Sequence, residues 1–142
     1  MHQFIPVLDE QIDTIELLLL RLTTVRLLMA SGQHELVARG IDDVETAFAH
    51  FDVTLAAGTD LLEAAGHDSL ADVIAASDGD IAPELERRSS RLRSLERDLR
   101  VLISSTANAA QAGLEAGAMI DLSDGPARVE PATTRGFLTG QI

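Results

Sequence analysis

Apolar residues recur along this chain at alternating spacings of three and four, a pattern typical of amphipathic helices that pack along one stripe. The first series predicts a helix from about Val7 to Ser31, and Gly32 is a natural stop for it. Its stripe positions are Leu8, Ile12, Ile15, Leu19, Leu22, Arg26 and Met29.

A second series predicts a long helix from about Gln33 to Ala65, ended by Gly66. Gly40 and Gly58 lie inside it, and each weakens a helix by about 1 kcal/mol relative to alanine. Packing must therefore hold this helix together, or it bends there. Its stripe positions are Val37, Ile41, Val44, Phe48, Phe51, Leu55, Gly58, Leu62 and Ala65.

The segment after the second helix predicts a short helix. Ser69 followed by Asp72 resembles a capping box, and Leu70, Val73 and Ile74 supply an apolar face. Because the segment is so short, we expect a connector and not an element of the core.

The third long helix is predicted from Pro83 to Ile120, a length of roughly 55 Å at 1.5 Å per residue. It is longer than the first helix. Its stripe begins with leucines and ends with small residues: Leu85, Arg88, Leu92, Leu95, Leu99, Leu102, Thr106, Ala109, Gly113, Ala116 and Ile120.

These elements predict an all-α fold, since no segment shows the polar and apolar alternation of a strand. We expect an elongated antiparallel bundle or coiled coil of three long helices over residues 1–122, with the segment 66–82 capping one end. Residues 123–142 contain five glycines and prolines and show no helical period, which predicts a flexible C-terminal tail.

Charge excludes some partners. The net charge is −12, and residues 1–80 carry 15 acidic residues against 3 arginines, so this half would repel a phosphate backbone. The arginines between Arg87 and Arg100 alternate with glutamates and Asp98, which is typical of a solvated helix face with charge pairs three and four apart. We therefore expect no nucleic-acid partner.

The apolar runs predict neither a membrane span nor a secretory signal. The most apolar run, Leu17 to Leu20, is soon interrupted by Arg21 and Arg26, and the N-terminus has no basic region before an apolar core. A cytoplasmic location is expected. The absence of cysteine excludes disulfides and thiolate metal sites.

Residues for catalysis or metal binding are not clustered in the sequence. The four histidines, His2, His34, His50 and His67, are far apart, and none has the spacing to glutamate of a di-iron bundle or a zinc protease. Glu63 and His67 are four apart but have no third group to orient them. We expect no cofactor, no metal and no enzymatic activity.

The order of elements resembles the FlgN family. The resemblance rests on the leucine-rich first helix, the turn MASGQHELVARGIDDVE at 29–45, the connector LLEAAGHDSLADVIAAS at 61–77 and the final-helix segment LRSLERDLRVLISSTANAAQAGL at 92–114. It covers roughly Val7 to Ile120. The family's recognisable motif is a pair of asparagines three apart in the last helix. Asn108 matches the second, while Ser105 stands at the first and Gln111 replaces a usually apolar residue.

The resemblance implies a cytoplasmic chaperone of flagellar export. Such a protein binds the C-terminal amphipathic helices of hook–filament junction (hook-associated) proteins and keeps them soluble before export. The C-terminal tail, residues 123–142, is then the candidate contact with the flagellar export apparatus.

The small residues near the end of the last helix are the candidate binding site. They leave a shallow apolar face that could receive a partner's helix, and Gly113 and Gly117 also form a GxxxG motif of close helix approach. The candidate partner-binding residues are Thr106, Asn108, Ala109, Ala112, Gly113, Gly117 and Ile120. Two alternatives stay open: another helix of this chain covers the face, or a second copy does so in a homodimer. A non-catalytic, self-associating coiled-coil protein is therefore the second functional hypothesis.

Overall fold

The computed structural model describes residues 1–118 and confirms the predicted all-α bundle. Its four helices, in chain order, are α1 (Phe4–Ala30), α2 (His34–Ala65), α3 (Leu70–Ala76) and α4 (Ile81–Ala118). The boundaries that can be compared agree with the predicted ones within about three residues. The predicted tail, residues 123–142, lies outside the described residues.

The predicted stop and start signals between helices are confirmed. Gly32 and Gly66 have φ of 72° and 74°, the left-handed conformation that ends a helix and favours glycine. The Ser69 hydroxyl accepts a hydrogen bond from the backbone N–H of Asp72 at 3.2 Å and donates to its carboxylate at 2.8 Å. This cap fixes the start of α3.

Helix α1 lies in the middle of the bundle. It packs against both α2 and α4, whereas the backbones of α2 and α4 hardly approach each other. Gln11 near the start of α1 donates to the carbonyl of Thr54 late in α2 at 3.1 Å, so these two helices run antiparallel. Arg88 at the start of α4 meets Asp9 of α1 at 2.7 Å, so α4 runs parallel to α1.

The core confirms the predicted stripe of α2, and that of α4 from Leu85 to Thr106, but corrects that of α1. Further along the α4 stripe Gly113 is exposed, and Ile120 lies outside the described residues. Arg26, placed on the predicted stripe of α1, is exposed, while Leu18 and Val25 are fully buried. Because α1 is covered from two sides, its buried strip is broader than a single heptad stripe. The largest fully buried apolar side chains are Phe51, Ile15, Leu18, Leu22, Leu70, Leu85, Leu92, Leu99, Val25 and Val73.

Helix α3 was expected to be only a connector, and that expectation is wrong. Leu70 and Val73 are buried, and Leu70 packs beside Phe4 of α1 and Leu62 of α2. The short helix therefore closes the end of the bundle at which α1 begins, as predicted for the segment 66–82, and it adds to the core while doing so.

The two glycines inside α2 allow α1 to come close. A Cβ atom at Gly40 would lie 2.9 Å from the Cγ2 of Val25, and one at Gly58 would lie 2.6 Å from the Nε2 of Gln11. The close approach of the helices compensates for the poor helix propensity of glycine at these two positions.

We expect Gly40→Ala to destabilise the protein although alanine favours helix. Val25 is β-branched and has little freedom to move away, so overpacking should outweigh the helix gain and lower the free energy of unfolding by about 1–2 kcal/mol. Gly113→Ala is the matched control, because a Cβ there meets no atom within 4 Å. It should leave stability unchanged or raise it by up to about 1 kcal/mol. Urea unfolding of both variants tests the pair, and equal stability would contradict the close-approach argument.

Candidate functional site

The end of α4 extends beyond the helix on which it packs. Ion pairs join Arg88 to Asp9 and Arg91 to Glu16, at sequence separations of 79 and 75 residues. At these offsets Ala30, the last residue of α1, lies beside residues 105–109 of α4. Helix α4 continues to Ala118, so about ten residues, or roughly 15 Å of helix, project past the end of α1.

The predicted small-residue face lies beside and beyond the end of α1 and is largely uncovered. Asn108, Ala112 and Gly113 are exposed, and Ala109 is half-buried. No atom lies within 4 Å of a Cβ built on Gly113, so no described helix of this chain packs on that position. Only the backbone of Gly117 is described, and Ile120 lies outside the described residues.

Thr106 differs from the other predicted site residues because its side chain is in the core. It is fully buried, and its hydroxyl donates to the carbonyl of Leu102 at 2.7 Å. A partner that binds the surface of this conformation cannot reach the Thr106 side chain. The accessible small-residue face therefore starts after Thr106, and Thr106 is better described as the last layer of the bundle.

The contact line between α1 and α4, which we call the seam, is covered by ion pairs along one half. Near the start of both helices Arg88 Nε lies 2.7 Å from Asp9, Arg88 Nη1 lies 2.6 Å from Glu84, and Arg91 Nη2 lies 2.9 Å from Glu16. These pairs correct the prediction that the α4 arginines only form a solvated face, since two of them bridge to α1. They cover this half of the seam with charged side chains.

The other half of the same seam is open and apolar. Leu20 and Leu27 follow Asp9 and Glu16 at helical spacing on α1, yet they are 60% and 65% exposed. The adjoining groove between the helices is lined by Leu19, Arg26, Asp98, Val101, Leu102 and Ser105. We call these eight residues the open seam.

Two polar features mark the open seam. The hydroxyl of Ser105 is buried and has no hydrogen-bond partner, whereas the hydroxyls of Thr106 and Thr23 both donate to a carbonyl four residues earlier. Arg26 and Asp98 line the groove from opposite helices without forming an ion pair among the described residues. Sequence reasoning missed this groove, although an arginine at a stripe position was a usable signal.

A second feature that the sequence did not reveal is the carboxyl group of Glu96 on α4. The residue is about nine-tenths buried, and its Oε1 atom has no hydrogen-bond partner. Burial raises the pKa of Glu96 to about 7, and the positive charges of Arg100 and Arg93 only partly oppose this shift. The sequence placed Glu96 on a solvated face; the structure places it at the edge of the core.

No arrangement for metal binding appears within residues 1–118. In that part of the chain no three histidine, aspartate or glutamate side chains come together in a way that could hold a metal ion. The same residues contain no helix that is long and apolar enough to cross a membrane. The described surface instead offers two apolar areas, the projecting face of α4 and the open seam.

Comparisons with known proteins do not identify the chain. No family model, curated protein or solved structure matches it. The resemblance to FlgN-type proteins therefore stays a prediction from the sequence segments given above.

The projecting face and the open seam are continuous along α4. Asp98, Leu102, Ser105, Ala109 and Ala112 follow one another at spacings of three or four, so they share one side of the helix. Such a surface has no reactive groups in a catalytic arrangement. It can bind an apolar partner by shape and by removal of apolar area from water.

Proposed function

We propose that this protein is a FlgN-like flagellar export chaperone. It binds the C-terminal amphipathic helices of hook–filament junction proteins in the cytoplasm and keeps them soluble before export, without catalysis. Residues 123–142 would then contact the export apparatus. The proposal joins the sequence resemblance over roughly Val7 to Ile120 with the surface at the end of α4.

The observation that carries the proposal is the uncovered small-residue face on the projecting end of α4. Small side chains let a partner's backbone approach closely, so large apolar side chains of that partner can fill the shallow surface. Intrachain packing, one of the alternatives from the sequence, finds no support at Gly113, where no described atom is near. A helix supplied from another molecule is the occupant that fits this geometry.

We predict that Gly113→Glu and Ala109→Glu weaken binding of a peptide copied from the C-terminal helix of a junction protein. Each substitution places a carboxylate where the partner would exclude water, at a cost of a few kcal/mol, and each 1.4 kcal/mol is tenfold in affinity. Isothermal titration calorimetry measures the affinity, and circular dichroism measures the thermal midpoint. The midpoint should change little, because Gly113 is exposed and Ala109 only half-buried.

The matched control is Ala57→Glu, the same change of charge on an exposed alanine of α2. It should bind the peptide like the wild type. If the Gly113 and Ala109 variants bind normally, or if the wild type binds no junction peptide, the proposed function is wrong. If those variants instead convert a stable dimer into monomers, a second copy covers the face, and the protein is the self-associating coiled coil of the second hypothesis.

A further inference from the structure

We propose that the open seam is part of the binding site and receives the apolar stripe of an amphipathic helix that carries an acidic residue beside Arg26. This inference deepens the proposed chaperone function and rests on its helix-binding mode. It adds a docking groove between α1 and α4 that the small-residue face alone does not provide, and it states the charge of the partner.

The contrast between the two halves of the α1–α4 seam is the first argument. In the closed half, Asp9 and Glu16 reach across to arginines of α4 and cover the apolar surface beneath. In the open half, the corresponding line of α1 offers Leu20 and Leu27, both more than half exposed. Large exposed apolar side chains at regular helical spacing are typical of a surface that a partner covers.

The groove beside these leucines contributes the second argument. Val101 is 69% exposed, while Leu19 and Leu102 are partly buried at its sides. The buried Ser105 hydroxyl in the same groove has no partner, and an unpaired buried hydroxyl is costly. Because this oxygen has almost no exposed surface, a docked helix would leave it unchanged, so the groove offers its apolar surface for binding.

Charge favours a partner over a second copy as the occupant. Each copy of this chain carries a net charge of −12, so two copies repel each other at long range. Arg26 and Asp98 both line the groove, and Arg26 has no acidic group within 4 Å among the described residues. An acidic residue next to the apolar stripe of a partner helix would pair with it, and the stripe itself would cover Val101 and Leu102.

The continuity of the surface indicates the path that a bound helix would follow. The side of α4 that lines the open seam continues through the half-buried Ala109, beside the end of α1, to the exposed Ala112 beyond it. A helix that starts on the projecting face can therefore run on into the groove without crossing a ridge. Both areas then bind one continuous helix.

The test uses two peptides and a matched pair of valine variants. One peptide copies the C-terminal helix of a junction protein, and the other is a designed helix of about 18 residues with a leucine stripe and one glutamate beside it. Val101→Ser should weaken binding of both peptides about tenfold, because the buried apolar area is reduced. Val53→Ser is the control: Val53 is 66% exposed, close to the 69% of Val101, but it lies on α2 away from the seam.

Reversing the charge at Arg26, and separately in the peptide, tests the charge of the partner. Arg26→Glu should lower the affinity for the designed peptide that carries glutamate by about two- to fivefold, the range expected for an exposed ion pair. The same variant should lose less affinity, or gain some, for a peptide in which that glutamate is replaced by lysine. An equal effect of Arg26→Glu on both peptides would show that Arg26 does not pair with the partner, and the charge assignment would be wrong.

The outcomes separate this inference from the proposed function. If the junction peptide binds, loses affinity with Gly113→Glu and keeps it with Val101→Ser, the function stands and the open seam is not part of the site. If the junction peptide fails to bind the wild type, the function is wrong, and the designed peptide alone decides the seam by the difference between Val101→Ser and Val53→Ser. If sedimentation shows a dimer that Val101→Ser dissociates, a second copy occupies the seam, and the inference is overturned.

Discussion

Phe51→Ala should lower the free energy of unfolding by about 3–5 kcal/mol, the largest loss that we expect from a single substitution in this chain. Phe51 heads the fully buried side chains in size and has no exposed surface. Its removal costs both the burial of the ring and the cavity that remains, since the surrounding helices can close only partly. For a bundle of this length the thermal midpoint should fall by about 10–20 °C. Guanidinium unfolding followed by circular dichroism measures both quantities.

Val53→Ala is the control on the same helix, two residues away. Its side chain is 66% exposed, so little buried area is lost, and alanine has the higher helix propensity. Stability should change by less than about 0.5 kcal/mol, in either direction. A Phe51→Ala protein as stable as the Val53→Ala protein would mean that the core around Phe51 is loosely packed, contrary to the structure.

Glu96→Gln should stabilise the protein at pH 8 and have little effect at pH 4.5. Burial raises the pKa of Glu96 to about 7 in the folded state, above its ordinary value of 4.5, so the folded chain holds this proton more tightly than the unfolded chain. The contribution of Glu96 to stability is therefore most favourable below about pH 4.5 and is lost as the pH rises to about 7. A shift of this size corresponds to at most about 3 kcal/mol, and partial contact with water reduces it to about 1–2 kcal/mol.

The measurement for Glu96 is the difference in unfolding free energy between variant and wild type, taken by urea unfolding at several pH values. That difference should increase between pH 4.5 and 7 and then remain constant. Glu45→Gln is the control, because Glu45 is an exposed carboxylate of α2. A Glu96→Gln difference that does not depend on pH would show that the carboxyl group is solvated in the folded protein.

Most of the fold could be predicted because its signals are local. The spacing of apolar residues in α2, from Val44 to Leu62, determines which side of that helix is buried wherever its partner lies. Gly32 and Gly66 ended their helices as expected, since only glycine adopts the left-handed conformation without strain. The stripe of α1 was misassigned at Arg26, because a helix covered from two sides buries more than one line of residues.

In the candidate site, too, some features could be predicted from the sequence and others could not. The small residues of the α4 end, including Ala109 and Gly113, are visible in the sequence, and their exposure follows from the greater length of α4. Thr106 lies on the predicted stripe, and its burial agrees with that position and not with the partner contact that we expected. The raised pKa of Glu96 and the open seam were not predictable. Each depends on where a neighbouring helix ends or how close it lies, and the spacing of apolar residues within one helix reveals neither.

The sequence by itself determined that the chain forms helices, where α1 and α2 end, and most of the residues of α2 and α4 that form the core. Helix propensity, capping and periodicity act within a few residues, so they can be read along the chain. Only the tertiary structure decided that α1 lies between α2 and α4, and that ion pairs close one half of the α1–α4 seam while the other half stays apolar and open. Those features arise from contacts between residues far apart in the chain, 43 positions for Gln11 with Thr54 and 75 for Arg91 with Glu16. Their energies depend on the distance and register of packed helices.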